Sequence, residues 1–447
     1  MRPLTFMFIA GEASGDALAA ELVKALSPAV IDFENRLTNG LQPLRTTLSP
    51  RFFGGGGPKM AAAGVELAVD LTAHAVFGLF EVLKHYSKFK GIFNQLVALA
   101  MARQPEVIIL VDYGGLNRRF AAAIKKHVRA RRGTFNNWDP KIVYYVSPQV
   151  WASRAQRARQ LERDVDLLLS IFPFERDWYA RRAPRLHVEF VGHPLIDRHG
   201  SAERRCFASS DSGNTAQNKP IVLLLPGSRE QELKQHLPVI IATARRISAK
   251  HTVRFRMVFP TQSLADISYS FTAGLSDLET NIGDLSESLA EADLAIASSG
   301  TVTMECAFFA VPTIVLYKVS WPLYQIAKRM VRVNYIAMPN LLAGEEIYPE
   351  FIQSAATSEN IANAALKILN NPTTRTTIKA KLAKVVESLG LPGASERAAK
   401  AIVNLLRESH HHDQSDGTIE TGHLGAKIAG MRLDRKDLPE AGRVRIK

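Results

Sequence analysis

Cysteine is almost missing from this chain: Cys206 and Cys306 are the only two in 447 residues. That excludes a disulfide framework and a cysteine-built zinc centre, and it fits a reducing compartment. Long apolar runs are missing too. No stretch approaches the ~18 uninterrupted apolar residues that a bilayer-spanning helix requires. The N-terminal run follows an arginine, as in a signal peptide, but it is short and empties into Gly11-Glu12-Ala13-Ser14-Gly15-Asp16 rather than a small-residue cleavage site. It reads as a buried first strand entering a tight turn, in a soluble protein. A Gly-Lys-Ser/Thr phosphate loop is absent, as is Gly-x-Gly-x-x-Gly after the first strand. So is an Asp-x-Asp pair following a strand. ATP hydrolysis, dinucleotide oxidoreduction and a metal-held diphosphate are therefore not expected, and neither a metal nor a cofactor is called for. No repeat of solenoid length is visible.

Positive charge is abundant. Lys and Arg number 56 against 43 Asp and Glu, a net +13, which suits nucleic acid, anionic lipid or phosphorylated substrates. Between Asp112 and Asp139 every charged residue is basic: Arg118, Arg119, Lys125, Lys126, Arg129, Arg131 and Arg132. Arg154, Arg157, Arg159 and Arg163 follow. These are either solvated helix faces or a surface for an anionic partner.

The length points to two domains. Apolar runs at 4–10, 107–111, 142–146, 167–171 and 187–191 read as strands, with helical patterns at 16–26, 77–101 and 117–131. A second alternation has strands at 221–225, 253–259, 294–297 and 313–317, then helical patterns from 358 to 406. Continuous apolar strands separated by helices predict parallel sheets covered on both faces. The expected architecture is α/β, with two Rossmann-like doubly wound domains facing a cleft. The first spans 1–199 and the second 221–408, with the final helices returning to the first. Residues 200–220 form a linker, 32–50 a loop insertion, and 409–447, with His410-His411-His412, a mobile tail.

Chemistry-bearing residues gather where strands end. Pro226-Gly227-Ser228-Arg229 follows the strand at 221–225, and Ser298-Ser299-Gly300-Thr301 follows the one at 294–297, opening a helix that contains Glu305. Backbone amides and a guanidinium suit a diphosphate, and a carboxylate one turn in suits two ribose hydroxyls. Structural turns and caps would use the same residues. In the first domain, Ser14 and Gly15 lie in the turn after the first strand, and Asp112 ends the strand at 107–111. Asp112 is either a general base or a satisfied turn residue, and His193, before Pro194, is either structural or a further base.

Val76, Phe77, Leu79, Phe80, Val82, Leu83, Tyr86, Phe89, Ile92, Phe93, Leu96 and Val97 crowd a segment that also carries Lys84, His85, Lys88 and Lys90. It is either a core helix or an interfacial helix whose aromatic and apolar groups enter a membrane while lysines meet phosphate. The interfacial reading assigns membrane contact to Phe77, Leu79, Phe80, Leu83, Lys84 and Lys88.

Several segments together resemble the lipid-A-disaccharide synthase family. They are Ala10 to Asp16, Gly57-Pro58-Lys59-Met60, Phe77-Gly78-Leu79-Phe80-Glu81-Val82-Leu83, Tyr145-Val146-Ser147-Pro148-Gln149-Val150-Trp151-Ala152 and Phe172-Pro173-Phe174-Glu175, followed by Phe190 to Leu195, Leu224 to Arg229, Ser298 to Glu305 and Pro339-Asn340-Leu341-Leu342-Ala343-Gly344. The resemblance covers residues 4 to 400 in the family's order. It implies a metal-independent, inverting GT-B glycosyltransferase that joins UDP-2,3-diacylglucosamine to 2,3-diacylglucosamine 1-phosphate (lipid X). The products are a β-1,6 disaccharide phosphate and UDP.

By the same resemblance, UDP lies against Arg229, Ser299, Gly300, Thr301, Glu305 and Asn340, and the acceptor approaches Ser14, Glu12 and Asp112. The implied partners are these two lipids, an anionic inner-membrane surface on its cytoplasmic face, and a second copy of the chain in a homodimer. Gly115 stands where many members have a second carboxylate, and Ser153 where a Trp is usual. Two other classes are weighed: a UDP-sugar 2-epimerase, and a non-catalytic basic RNA- or membrane-binding protein. A water-soluble epimerase substrate gives no use for the apolar segment at 77–99. No nucleic-acid-binding motif is present, so nucleic acid is not an expected partner.

Overall fold

The structure, a computed structural model, describes residues 2–38, 49–74, 86–133, 137–199, 219–272, 275, 277–331 and 333–409. Two all-parallel sheets carry the chain. The first contains β1 (Thr5–Ala10), β2 (Arg51–Gly56), β3 (Glu66–Asp70), β4 (Val107–Val111), β5 (Lys141–Tyr145), β6 (Leu167–Ser170) and β7 (His187–Phe190), in the order β3-β2-β1-β4-β5-β6-β7. The second contains β8 (Ile221–Leu225), β9 (Arg254–Phe259), β10 (Leu278–Ile282), β11 (Leu294–Ser298), β12 (Thr313–Tyr317) and β13 (Glu350–Ile352), in the order β10-β9-β8-β11-β12-β13. The two orders follow one scheme, and each has a single place where the winding reverses: between β1 and β4, and between β8 and β11.

The central strands are apolar throughout because helices cover both of their faces; β4 and β8 are buried at every position. The strands that the apolar pattern did not predict are β2, β3, β10 and β13. Of these β3, β10 and β13 lie at sheet edges and are half-exposed, and β2 is made of Arg51, Phe52, Phe53 and three glycines.

The first helix, Ala13–Thr38, is longer than expected and runs through Pro28, so residues 32–38 are helical rather than part of a loop insertion. Leu22, Val23, Leu26, Val30 and Phe33 are buried at helical spacing and hold the helix together past the proline. Residues 39–48 lie outside the described residues, as do most of the 200–220 segment and the region beyond 409.

The helix Tyr86–Arg103 accounts for the described part of the 77–101 pattern. Its Ile92, Leu96 and Ala100 are buried in one cluster with Phe53 and Leu71, so this face of the helix packs on the sheet. Lys88 is exposed on the same helix. Phe77, Leu79, Phe80, Leu83 and Lys84 lie outside the described residues.

At the other end of the chain, helices Ser358–Leu369, Pro372–Ser388 and 394–409 follow one another. The Asp197 carboxylate accepts from the amides of Gly393 (2.6 Å), Ala394 (2.9 Å) and Ser395 (3.4 Å), and Arg397 Nε donates to the Val191 carbonyl at 2.7 Å. The Arg407 guanidinium sits 5.9 Å from the Phe33 ring centre. The last helix therefore rests on the side of the molecule built around the first sheet.

Asp16 caps a distant helix. Its carboxylate, 2% exposed, accepts from the amides of Gly57 (2.9 Å), Lys59 (3.0 Å) and Met60 (3.0 Å), the first turn of Pro58–Ala62. Asp16→Ala leaves three amide donors without their acceptor and should destabilise the protein by about 3 kcal/mol. An unchanged urea midpoint would refute this account of the turn.

Candidate active site

In open α/β sheets, ligands bind outside the carboxyl ends of the strands that flank the winding reversal. In the first sheet those ends carry Gly11-Glu12 after β1 and Asp112-Tyr113 after β4. Asp112 and Tyr113 both adopt left-handed backbone angles, φ 49° and 45°. Two consecutive non-glycine residues in that region are costly, and the surrounding hydrogen bonds hold them there. The buried Asn117 amide nitrogen donates to the carbonyls of Asp112 (2.9 Å), Val111 (3.2 Å) and Ile9 (3.3 Å), and Tyr144 Oη donates to the Asp112 carbonyl at 2.8 Å. Gly11 is required by close approach: a Cβ there would stand 2.2 Å from the Tyr113 ring.

Asp112 is half-buried, and burial is the main reason its pKa is pushed up to about 6. The Glu12 charge adds to the shift, and the Tyr113 amide opposes it. Gly15 lines the same space, its Cβ position 3.9 Å from the Asp112 Cβ, and Ser14 is exposed in the first helical turn. Asp112 is the only carboxylate on its turn, since position 115 is an exposed glycine.

In the second sheet, β8 ends in Pro226-Gly227-Ser228-Arg229 ahead of the helix Glu230–Ser248. The Glu232 carboxylate accepts from the Ser228 amide at 3.2 Å and lies 3.9 Å from the Arg229 guanidinium. The buried His236 ring bridges this turn to the end of β12: Nδ1 donates to the Pro226 carbonyl at 2.8 Å and Nε2 accepts from the Lys318 amide at 3.1 Å. Arg229 Nη2 also meets Glu12 Oε1 at 3.4 Å. That ion pair joins the exit of β1 to the exit of β8 and brings Arg229, Glu12 and Asp112 together.

The neighbouring strand β11 ends at Ser298. Ser299 donates its amide to Leu316 and its hydroxyl to Ile336, both at 3.2 Å, and Thr303 Oγ1 donates to the Gly300 carbonyl at 2.8 Å. Thr301 is exposed and the space beside Gly300 is open. Glu305 is half-buried; burial raises its pKa, and the Arg198 charge opposes the rise.

Two expected site residues have other work. The Asn340 side chain is fully buried and saturated. Its nitrogen donates to the Tyr348 carbonyl (2.7 Å) and to Glu350 (2.8 Å), and its oxygen accepts from the amides of Ile347 (2.9 Å) and Tyr348 (2.8 Å). Both amide hydrogens and both oxygen lone pairs are used within the protein, so the Asn340 side chain organises the loop. His193 Nδ1 accepts from the Leu195 amide at 3.2 Å, capping the helix 194–199, and burial lowers its pKa to about 4. Its Nδ1 lone pair is thereby engaged in the backbone cap.

Sequence reasoning missed Asn117 and Glu175. Asn117 occupies a polar slot in the buried helical stripe that continues through Phe120, Ala121, Ile124 and Val128, and that slot was the available signal. Glu175 is fully buried and accepts from Trp151 Nε1 at 2.9 Å. It braces the 147–153 segment after β5, where Ser147 Oγ and Tyr179 Oη share a hydrogen bond of 3.0 Å. Pro148 of that segment packs 3.4 Å from the Cβ position of Gly114, beside Asp112.

Residues 6–403 match the family model described as lipid-A-disaccharide synthetase. The lipid-A-disaccharide synthase of Geobacter sulfurreducens is 35% identical over 403 residues, 90% of this chain and 97% of its own. Among solved structures, the UDP-GlcNAc 2-epimerase of Neisseria meningitidis bound to UDP-GlcNAc aligns with a TM-score of 0.53 at 10% identity, covering 91% of this chain and 100% of that one. The glycotransferase of kitacinnamycin aligns with a TM-score of 0.51 at 16% identity, covering 90% and 99%. At such identities the structural likeness concerns the fold alone, which is the GT-B arrangement of two Rossmann-like halves.

Burial pushes the Glu175 pKa up to about 7, while its bonds from Trp151 and Ser147 pull the other way. A raised carboxyl pKa means the folded state holds a proton that the unfolded state releases. Stability from this group is therefore complete below the ordinary carboxyl range and lost as pH rises towards 7. Glu175→Gln should flatten that loss, so its melting temperature relative to the parent should improve between pH 5 and 8. Parallel curves for the two proteins would overturn this.

Proposed function

The chain belongs to the lipid-A-disaccharide synthetase family, and from that premise we propose how its residues join UDP-2,3-diacylglucosamine to 2,3-diacylglucosamine 1-phosphate. The observation that carries the reading is the meeting of Arg229, Glu12 and Asp112 at the reversal points of the two sheets. A donor-phosphate cation from one half and a base from the other are what a transfer between two sugars requires.

In this reading the UDP diphosphate takes Arg229 and the open backbone beside Gly300, with Ser299 and Thr301 around it. Glu305 accepts from the ribose hydroxyls. The acceptor sugar lies over Ser14 and Gly15 with its 6-hydroxyl at Asp112. Asp112 takes the hydroxyl proton as that oxygen attacks the anomeric carbon from the face opposite UDP. The bond to the UDP oxygen breaks, configuration inverts, and Arg229 stabilises the charge on the departing diphosphate. Glu12 pairs with Arg229 before the donor arrives and keeps Asp112 basic.

Both substrates are held in a bilayer by acyl chains. No described helix is long and apolar enough to cross a membrane. The proposed attachment is peripheral, to the cytoplasmic face of an inner membrane, through the basic surface and the segment at 77–88, in a homodimer. The direct test is purified protein with both acylated sugars: disaccharide phosphate and UDP should appear together, in the presence of EDTA. Their absence would end this reading.

Asp112→Asn should lower kcat at least a hundredfold with little change in UDP affinity. Because Asp112 must be ionised to act, kcat/KM should fall as pH drops through about 6. Glu12→Gln removes a charge that raises this pKa, so the acid limb should move to lower pH. A limb that stays in place would separate Glu12 from the base.

Glu305→Ala should weaken UDP binding at least tenfold in calorimetry, since hydrogen bonds to a charged carboxylate are worth about 1.5–3 kcal/mol each. Unchanged binding would move the ribose elsewhere.

A further inference from the structure

Arg118 is buried, 8% exposed, yet its guanidinium bonds only to Gln160 Oε1 (3.0 Å) among the described residues. Two other sheltered cations have two carboxylates each. Arg256 meets Glu279 and Glu291, and Lys125 meets Asp139 and Asp166. Arg118 instead faces other arginines. Burial, aided by the charges of Arg154 and Arg119, holds its pKa down, and burial with the charges of Arg118, Arg154 and Arg119 lowers Arg157 to about 10. Among the described residues none of these four has an ion-pair partner, and Arg154 Nη2 meets only the Met330 sulfur, at 4.0 Å. Desolvated like charges left together are unfavourable unless an anion completes them.

The cluster has a definite place relative to the reaction. Arg118 follows Asn117, which holds the Asp112 carbonyl, and it acts electrostatically on Tyr144, whose hydroxyl donates to that carbonyl. Arg154 and Arg157 follow the exit of β5, the strand next to β4 on the side away from β1. The exits therefore run in order from Glu12 with Arg229, through Asp112, to the arginines. A sugar with its 6-hydroxyl on Asp112 and the donor on the Arg229 side has its far edge towards the cluster.

We propose that Arg118, Arg154 and Arg157 bind the anomeric phosphomonoester of the acceptor, and that the protein uses this phosphate to distinguish acceptor from donor. Bidentate guanidinium groups suit a phosphomonoester dianion, and the donor, whose anomeric phosphate is consumed as part of UDP, cannot satisfy them in the same orientation. The inference rests on the acceptor assignment given above.

The test compares 2,3-diacylglucosamine with and without its 1-phosphate, presented in neutral-detergent micelles, with binding followed by calorimetry and turnover followed separately. The parent protein should prefer the phosphorylated acceptor strongly in both readouts. In Arg157→Gln that preference should shrink at least tenfold, with UDP affinity within twofold of the parent. Arg118 is buried, so Arg118→Lys, which keeps the charge and loses the planar fork, serves as the second variant, and Arg154→Gln as a third. Equal losses on both acceptors, or a weakened donor, would overturn the proposal. Preference retained while binding to phosphatidylglycerol vesicles is lost would assign the cluster to a lipid surface and also overturn it. Calorimetric preference without disaccharide formation would support the phosphate site and count against the transfer reaction.

Discussion

One side-chain amide underlies the geometry of the first half. Asn117, buried on the helix Gly114–Arg131, reaches the Ile9 carbonyl of β1, the last carbonyl of β4 and the carbonyl of Asp112 together. Two left-handed residues, each costing on the order of 1–3 kcal/mol, persist only where such bonds over-determine them. The Tyr144 hydroxyl adds a second restraint on the same carbonyl. With the backbone fixed, the Asp112 carboxyl is set at the mouth of the crevice beside Glu12, and its raised pKa follows from that position. The position of the Asp112 carboxyl is thus a property of the turn, and the turn is held by Asn117 and Tyr144.

The contacts that join the two halves differ greatly in strength. Glu12 and Arg229 meet at 3.4 Å with side chains 37% and 52% exposed. In that solvent a pair is worth ~1 kcal/mol or less, so a diphosphate offering several charge-assisted bonds can take the guanidinium over. Elsewhere, Asp197 gathers three backbone amides at 393–395, and the amide of His193 donates to the Leu389 carbonyl at 3.0 Å. The cleft is bridged by a contact a ligand can replace, while the chain's return to the first half is built from backbone bonds that no ligand competes for.

What the sequence disclosed follows the same physics. Central strands were legible because burial on both faces writes a continuous apolar run, as in Val107 to Val111 and Ile221 to Leu225. The edge strands β3, β10 and β13 were not, since a half-exposed strand needs no such run. The exits of β1, β4, β8 and β11 could be located from glycine and small polar residues after each run. The roles of Asn340 and His193 could not, because a saturated hydrogen-bond set looks the same in sequence as a free polar group. Phe172-Pro173-Phe174-Glu175 was visible as a motif, but its buried carboxyl became intelligible only beside Trp151.

Both halves use one strand order, so the scaffold by itself offers two equivalent crevices. Their difference lies in the residues at the strand exits. The first half presents carboxylates, Glu12 and Asp112, suited to a hydroxyl that must lose a proton. The second presents Arg229, open backbone at Gly300 and a half-buried Glu305. A likeness to epimerases and glycosyltransferases at 10–16% identity therefore extends to the sheets. What tells the two halves apart is a handful of side chains at four strand ends, with Glu12 and Asp112 on one side and Arg229 on the other.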